Sequence, residues 1–151
     1  MDKLMIGYDC SEKKIFEIIN ECFNQNYSGW MKAWYDINDE FAAWFPTITE
    51  DDVCPDGSYG GTKCCSNTLC AYNTTIVEIN HEETREEALF HATNPKHAKF
   101  NKTRLVFARI NGKFVFLGVF ERDILLEESP SPKIHHRIAR GVDLRTWELI
   151  K

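Results

Sequence analysis

The sequence predicts an α+β domain: a curled antiparallel sheet or small β-barrel of five to seven strands with two helices. Three observations predict it. RLVFARI-NG-KFVFLGVF, residues 104–120, joins two strand-forming runs through Asn111-Gly112, the dipeptide preferred in two-residue type I′ hairpins. Other aromatic and β-branched runs come in pairs around turn residues, which favours hairpins over β-α-β crossovers. Only two segments carry a helical pattern. The chain has 151 residues, 43% of them hydrophobic and 27% charged, which are globular proportions at the size of one domain, taken as 1–151. A chain this long buries roughly two-thirds of its unfolded surface and needs no disulfide or metal to build a core.

In chain order, Ile15, Phe16, Ile18, Ile19, Cys22 and Phe23 recur at helical spacing behind Ser11, a candidate N-cap, and Asn24-Gln25-Asn26 ends the pattern, giving a helix over 11–24. WMKAWYDI and EFAAWFPTI flank Asn38-Asp39 and read as a hairpin. Pro46 and then residues 49–61 carry turn and loop types almost without interruption. SNTLCAY and TTIVEIN around Asn73 form a second hairpin. Residues 82–92 form a short helix whose acidic first turn suits the helix dipole, and residues 93–101 read as a basic and polar loop. In the Asn111-Gly112 hairpin, Leu105, Phe107 and Arg109 alternate with Val106, Ala108 and Ile110. Phe114, Phe116, Gly118 and Phe120 alternate with Val115, Leu117 and Val119. Both faces are largely apolar, so this hairpin belongs at the centre of a covered sheet. A polar, proline-containing stretch over 127–133 leads to a last strand over 134–139 and a tail with Trp147, Leu149 and Ile150.

Net charge is −5, but residues 1–95 carry 6 Lys and Arg against 17 Asp and Glu, and residues 96–151 carry 12 against 6. A basic face attracts phosphates. No apolar run approaches the roughly 20 residues that span a bilayer, and the first residues lack the apolar segment of a secretory signal. A cytoplasmic chain with mostly reduced cysteines and no membrane partner is the expectation.

The aromatic share is 13%, with Trp30, Trp34 and Trp44 within fifteen positions. Rings of this kind are core by default, but a group of them also forms the stacking faces of a pocket for a flat ligand such as a flipped base. Ser66 and Asn67, after Gly60-Gly61, offer short hydrogen-bonding groups, and no GKS or GKT makes this segment a P-loop. Cys54, Cys64, Cys65 and Cys70 near His81 invite a zinc reading, but C-x9-C-C-x4-C lacks paired C-x2-C knuckles, so packed thiols and no metal are expected. The five histidines match no metal or deaminase motif, and TIVEIN lacks the Lys of a nuclease carboxylate set, so the sequence does not advertise an enzyme. Arg137 and Arg140, beside His135 and His136, have the make-up of a phosphate-contacting stripe, to which Arg104 adds a further charge.

The run TRLVFARINGKFVFLGVFE, the polar linker and HRIARGVDL together resemble an accessory domain found beside HNH-type nucleases in restriction-like proteins. That domain belongs with the PUA-like superfamily, and SNTLCAYNTTIVEIN extends the likeness. The SRA, YTH, EVE and ASCH branches of that superfamily hold nucleobases or nucleotides in an aromatic pocket on a small β-barrel. No HNH segment is present, so the resemblance implies a module that binds and does not cut. The resulting expectation is a nucleic-acid reader of a modified or flipped base. Trp30, Trp34 and Trp44 supply stacking faces; Asp36, Ser66 and Asn67 bond the base edge; and Arg104, Arg137 and Arg140 hold phosphates. DNA is expected in preference to RNA, with a separate nuclease or other protein as a further partner and no cofactor. Two other classes compete: a phage- or defence-related regulator that binds protein through an acidic N-terminal lobe, and a small nucleotide-acting enzyme using His81 or Glu78. Basic residues around an aromatic surface select the first reading, a flat apolar patch on the acidic side the second.

Overall fold

The computed structural model describes residues 1–48, 65–70, 72–124 and 132–151. Its elements are β1 (Lys3–Met5), α1 (Ile15–Phe23), β2 (Trp34–Asp36), β3 (Phe41–Trp44), β4 (Cys65–Cys70), β5 (Thr75–Asn80), α2 (Arg85–Thr93), a 3-10 helix (Pro95–Asn101), β6 (Thr103–Ile110), β7 (Lys113–Ile124), β8 (Lys133–Ala139), β9 (Gly141–Asp143) and β10 (Leu149–Ile150). They form two compact units. The first comprises Met1–Pro46, Thr103–Phe120 and Arg137–Lys151, and the second Thr47–Lys102 and Glu121–His136, so β7 and β8 each contribute to both.

In the first unit, β2 and β3 form the hairpin expected around Asn38, whose Oδ1 accepts the Glu40 and Phe41 N–H groups at 2.9 and 2.8 Å. β6 and β7 are joined through Asn111 (φ 51°) and Gly112 (φ 79°), the left-handed pair that a type I′ turn requires. β3 then pairs with β6 in parallel, Phe41 opposite Thr103 and Trp44 opposite Val106, which makes the sheet mixed. A hairpin pattern cannot announce this contact, because the paired residues, such as Phe41 and Thr103, lie 62 positions apart. α1 buries Ile18, Ile19 and Cys22 in a core with Phe41, Phe45, Leu105, Phe107, Phe116 and Val119. Phe45 stacks on Phe107 at 5.0 Å between centroids. Burial pushes the Cys22 thiol up to about 12 and that of Cys10 to about 11, so both pack as small apolar groups. β1, β9 and β10, of three, three and two residues, make a separate antiparallel sheet too short to show any hydrophobic period.

Three sequence expectations need correction in detail. Ser11 does not cap α1: its N–H and hydroxyl both bond Asp9 Oδ1, and Lys14 is the N-cap, its N–H donated to Glu17 Oε1 at 2.9 Å. Residues 95–101 are a 3-10 helix, because Asn94 Oδ1 accepts the Lys96 N–H and Pro95 supplies a pre-set φ. The simple alternation in β7 breaks at a bulge opposite Val106 and Phe107. Gly118 takes φ +114° there, so Phe114 and Phe116 before the bulge and Val119 after it all face the same core.

In the second unit, β4 and β5 pair from Cys65–Asn80 to Cys70–Thr75 around Tyr72 and Asn73, both at positive φ, as the Asn73 turn predicts. β5 pairs in turn with residues 133–136 of β8. α2 is capped by Thr84, whose hydroxyl accepts the Glu87 N–H at 3.1 Å, with Glu86 and Glu87 in its first turn. Among the described residues no sheet closes on itself, so of the two expected forms the open sheet is found. Among the described residues no helix is long and apolar enough to cross a membrane. Cys54, Cys64, Gly60, Gly61 and residues 127–131, on which the zinc and loop readings fall, lie outside the described residues.

Candidate functional site

Registered residues of neighbouring strands share a sheet face, and side chains along each strand alternate between faces. On β2, β3 and β6 one face carries Tyr35, Phe41, Ala43, Phe45, Leu105 and Phe107, all in or against the core. The opposite face carries two rows, Asp36–Ala42–Arg104 and Trp34–Trp44–Val106. Ala42 is the smallest side chain in the first row, and Arg104 runs toward the neighbouring row. Its guanidinium carbon lies 5.1 Å from the centroid of the Trp34 ring, within cation–π range. Trp34 Nε1 donates to Asp36 Oδ1 at 3.0 Å. The indole is thus fixed by a carboxylate at its edge and a guanidinium over its ring. Trp34 and Trp44 are both half-buried and Asp36 is exposed, whereas Ala42, Val106 and Arg104 on the same face are buried, Arg104 being 2% exposed.

Of the residues read from the sequence, the structure brings Trp34, Asp36, Trp44 and Arg104 together. Trp30 is not with them. It is 85% exposed, after Gly29 (φ +92°), and lines a separate groove between the start of α1 and the Asn111-Gly112 turn. Arg137 is half-buried on β8, its stem crossing Gly118, where a Cβ would lie 2.9 Å from its Cδ. Arg140 is exposed just beyond β8, and its backbone bonds Ile6 and Ile150. Ser66 and Asn67 belong to the second unit. Ser66, 1% exposed, has its hydroxyl 3.0 Å from His81 Nε2, and the Asn67 amide donates to the Thr47 carbonyl at 3.2 Å.

The second unit also assembles groups that sequence spacing did not connect. His135, 1% exposed, has Nε2 3.0 Å from Glu78 Oε1. Burial alone would raise the Glu78 carboxyl. The His135 hydrogen bond and charge, with the charges of Lys133 and Arg122, outweigh it and hold the group below its ordinary value. Buried Glu83 accepts from Lys133 Nζ at 3.1 Å and lies 2.9 Å from His91 Nδ1. Burial holds Arg122 below its ordinary value, against the raising effect of Glu78 and Glu83, and its guanidinium donates to Asn101 Oδ1 at 2.9 Å. The only sequence signal for these pairs was the period-2 pattern of TIVEIN and KIHHRIA, which gives faces but not partners. Among the described residues no cluster of three or more His, Cys, Asp or Glu has the arrangement of a metal site.

The fold and this face define a class. The model of the SRA (SET and RING associated) domain matches residues 4–144, and the chain belongs to that family of DNA-binding modules within the PUA-like superfamily. Among solved structures it is similar to the 5-hydroxymethylcytosine-specific restriction enzyme AbaSI, with a TM-score of 0.65 and 18% identity. That likeness covers 94% of this chain but 42% of AbaSI, so the chain spans less than half the length of the enzyme it resembles. No curated protein matches the chain significantly.

Proposed function

We propose that the chain reads a modified cytosine in DNA, taken out of the base stack and held against the Trp34–Asp36–Trp44 face, and that it leaves cutting to a separate nuclease. The observation that carries this reading is the convergence of two indoles, a carboxylate and a guanidinium on the sheet face opposite the core. A flat base gains stacking energy on an indole whose orientation is already fixed. Asp36 is an acceptor at the edge of that surface, suited to the 4-amino group that distinguishes cytosine among bases. Arg104 holds Trp34 from behind, and Arg137 and Arg140 contact backbone phosphates, which position the duplex without specifying its sequence. Membership of the SRA family supports DNA as the partner, and the resemblance to a restriction enzyme specific for 5-hydroxymethylcytosine supports a modified base as the target.

The test is fluorescence-polarisation titration with duplexes that carry cytosine, methylcytosine or hydroxymethylcytosine at one position, with intrinsic tryptophan emission followed alongside. One modified duplex should bind in preference and quench the emission. Trp34→Ala should weaken that binding by about 1–3 kcal/mol, the worth of one base–aromatic stack. Equal affinity for all three duplexes, unchanged in Trp34→Ala, overturns the reading. Incubation of the same duplexes with Mg²⁺ should leave them intact.

A further inference from the structure

The groove beside Trp30 has features that the base-reading face does not use. Its volume is about 450 Å³, and it runs between the N-terminal end of α1 and the Asn111-Gly112 turn. Trp30 stands at its edge with 85% of its surface exposed, an exposure that no core role explains. The floor is apolar through Ile15, Phe16 and Phe114. Four cations line it, Lys13, Lys14, Arg109 and Lys113, against one carboxylate, Glu12. Lys113 pairs with Glu12 at 2.8 Å and Lys13 with Glu21 at 3.0 Å. Among the described residues no carboxylate lies within ion-pair distance of Lys14 or Arg109, so these two carry the net positive charge of the groove. An exposed indole beside two uncompensated cations over an apolar floor matches the chemistry of a nucleotide: a flat base joined to a phosphate.

We propose that this groove is a second nucleic-acid contact, which takes one unstacked nucleotide with its base on Trp30 and its phosphate between Lys14 and Arg109. The proposal rests on the reading of the chain as a DNA-binding module. It adds a site for single-stranded nucleotide that is separate from the Trp34 face and indifferent to cytosine modification. A free nucleotide and a nucleotide within a strand offer the same chemistry, and the experiment distinguishes them.

The full chain is titrated at low salt with a short fluorescent oligothymidylate, which carries no cytosine, and thymidine 5′-monophosphate is added as competitor. Trp30→Ala should weaken oligonucleotide binding by about 5- to 100-fold and Trp30→Phe by less, since a smaller ring still stacks. Lys14→Gln and Arg109→Gln should each reduce the slope of log affinity against log salt by about 0.7, the value for one phosphate contact on a single strand. Competition by the monophosphate assigns the site to nucleotides in general, whereas failure to compete assigns it to strands. Oligonucleotide binding that is absent, or unchanged in both Trp30→Ala and the Lys14→Gln/Arg109→Gln double variant, overturns the proposal. Because Trp30 is exposed, thermal melting of Trp30→Ala should match wild type, and any loss of binding then belongs to the site. Failure of the underlying reading shows elsewhere, as equal affinity of the wild-type chain for modified and unmodified duplexes.

Discussion

Glu78 and Arg104 are charged residues whose surroundings set their behaviour. Glu78 titrates below its ordinary value of 4.5 because the His135 bond and the Lys133 and Arg122 charges exceed the cost of burial. A carboxyl depressed in the folded state contributes stability that is complete above its unfolded value and is lost as pH falls through the folded one. Urea unfolding of the wild-type chain should therefore lose stability from about pH 4.5 downward, and Glu78→Gln should flatten that acid limb. At neutral pH the same variant should cost about 1–3 kcal/mol, because His135 is left buried beside a neutral amide. An acid limb identical in the two proteins contradicts the assignment. Arg104 is the counterpart at the base-reading face. Arg104→Met keeps an apolar stem of similar length and removes the guanidinium over Trp34. It should cost about 1–2 kcal/mol in thermal or urea unfolding and shift tryptophan emission, since the ring loses a desolvated cation–π contact.

At the scale of elements, the bulge in β7 decides which way the central hairpin faces its core. Gly118 sits at φ +114°, and a Cβ there would lie 2.7 Å from the Ala139 carbonyl oxygen. Gly118→Ala should therefore cost about 2 kcal/mol or more, read as a fall in melting temperature. Thr84→Ala removes the hydroxyl that caps α2 and should cost about 1 kcal/mol, a loss that Thr84→Ser largely restores. These two positions show what was legible in the sequence. Turns announce themselves through residue chemistry: Asn111-Gly112, Asn38 and Asn73 stand where the pattern put them, whereas the helix starts shift, with Lys14 in place of Ser11 as the cap of α1 and α2 opening at Arg85 and not Glu82. A bulge is silent, because Gly118 in an apolar strand reads as one more small residue. The parallel pairing of β3 with β6 is silent as well, since no local signal encodes contact at that separation. The sequence grouped Trp30, Trp34 and Trp44 by residue type, with Asp36 as a base-edge group; the strand register keeps Trp34, Asp36 and Trp44 on one face and sets Trp30 apart. Arg104 carried no mark of its place over Trp34, because a charge in a strand reads first as an exposed phosphate ligand.

Across the whole molecule, the acidic and basic halves of the sequence do not coincide with the two units. The first unit holds 11 Lys and Arg against 10 Asp and Glu, and the second holds 7 against 13. The N-terminal residues that read as an acidic lobe thus share a nearly neutral unit with Arg104, Arg137 and Arg140. All four tryptophans, Trp30, Trp34, Trp44 and Trp147, belong to that first unit. Tryptophan emission therefore reports its unfolding alone, whereas far-ultraviolet circular dichroism reports both. We propose that residues 1–151 act as one cooperative domain, for which the two probes should give coincident urea transitions with one midpoint; separated midpoints contradict this. Base reading at the Trp34 face is probed without intermediaries by equilibrium competition. Two duplexes identical except for one hydroxymethylcytosine compete for the wild-type chain and for Trp34→Ala. The wild type should clearly prefer the modified duplex, and Trp34→Ala should bring the two duplexes toward parity. A preference that survives the loss of Trp34 would contradict it.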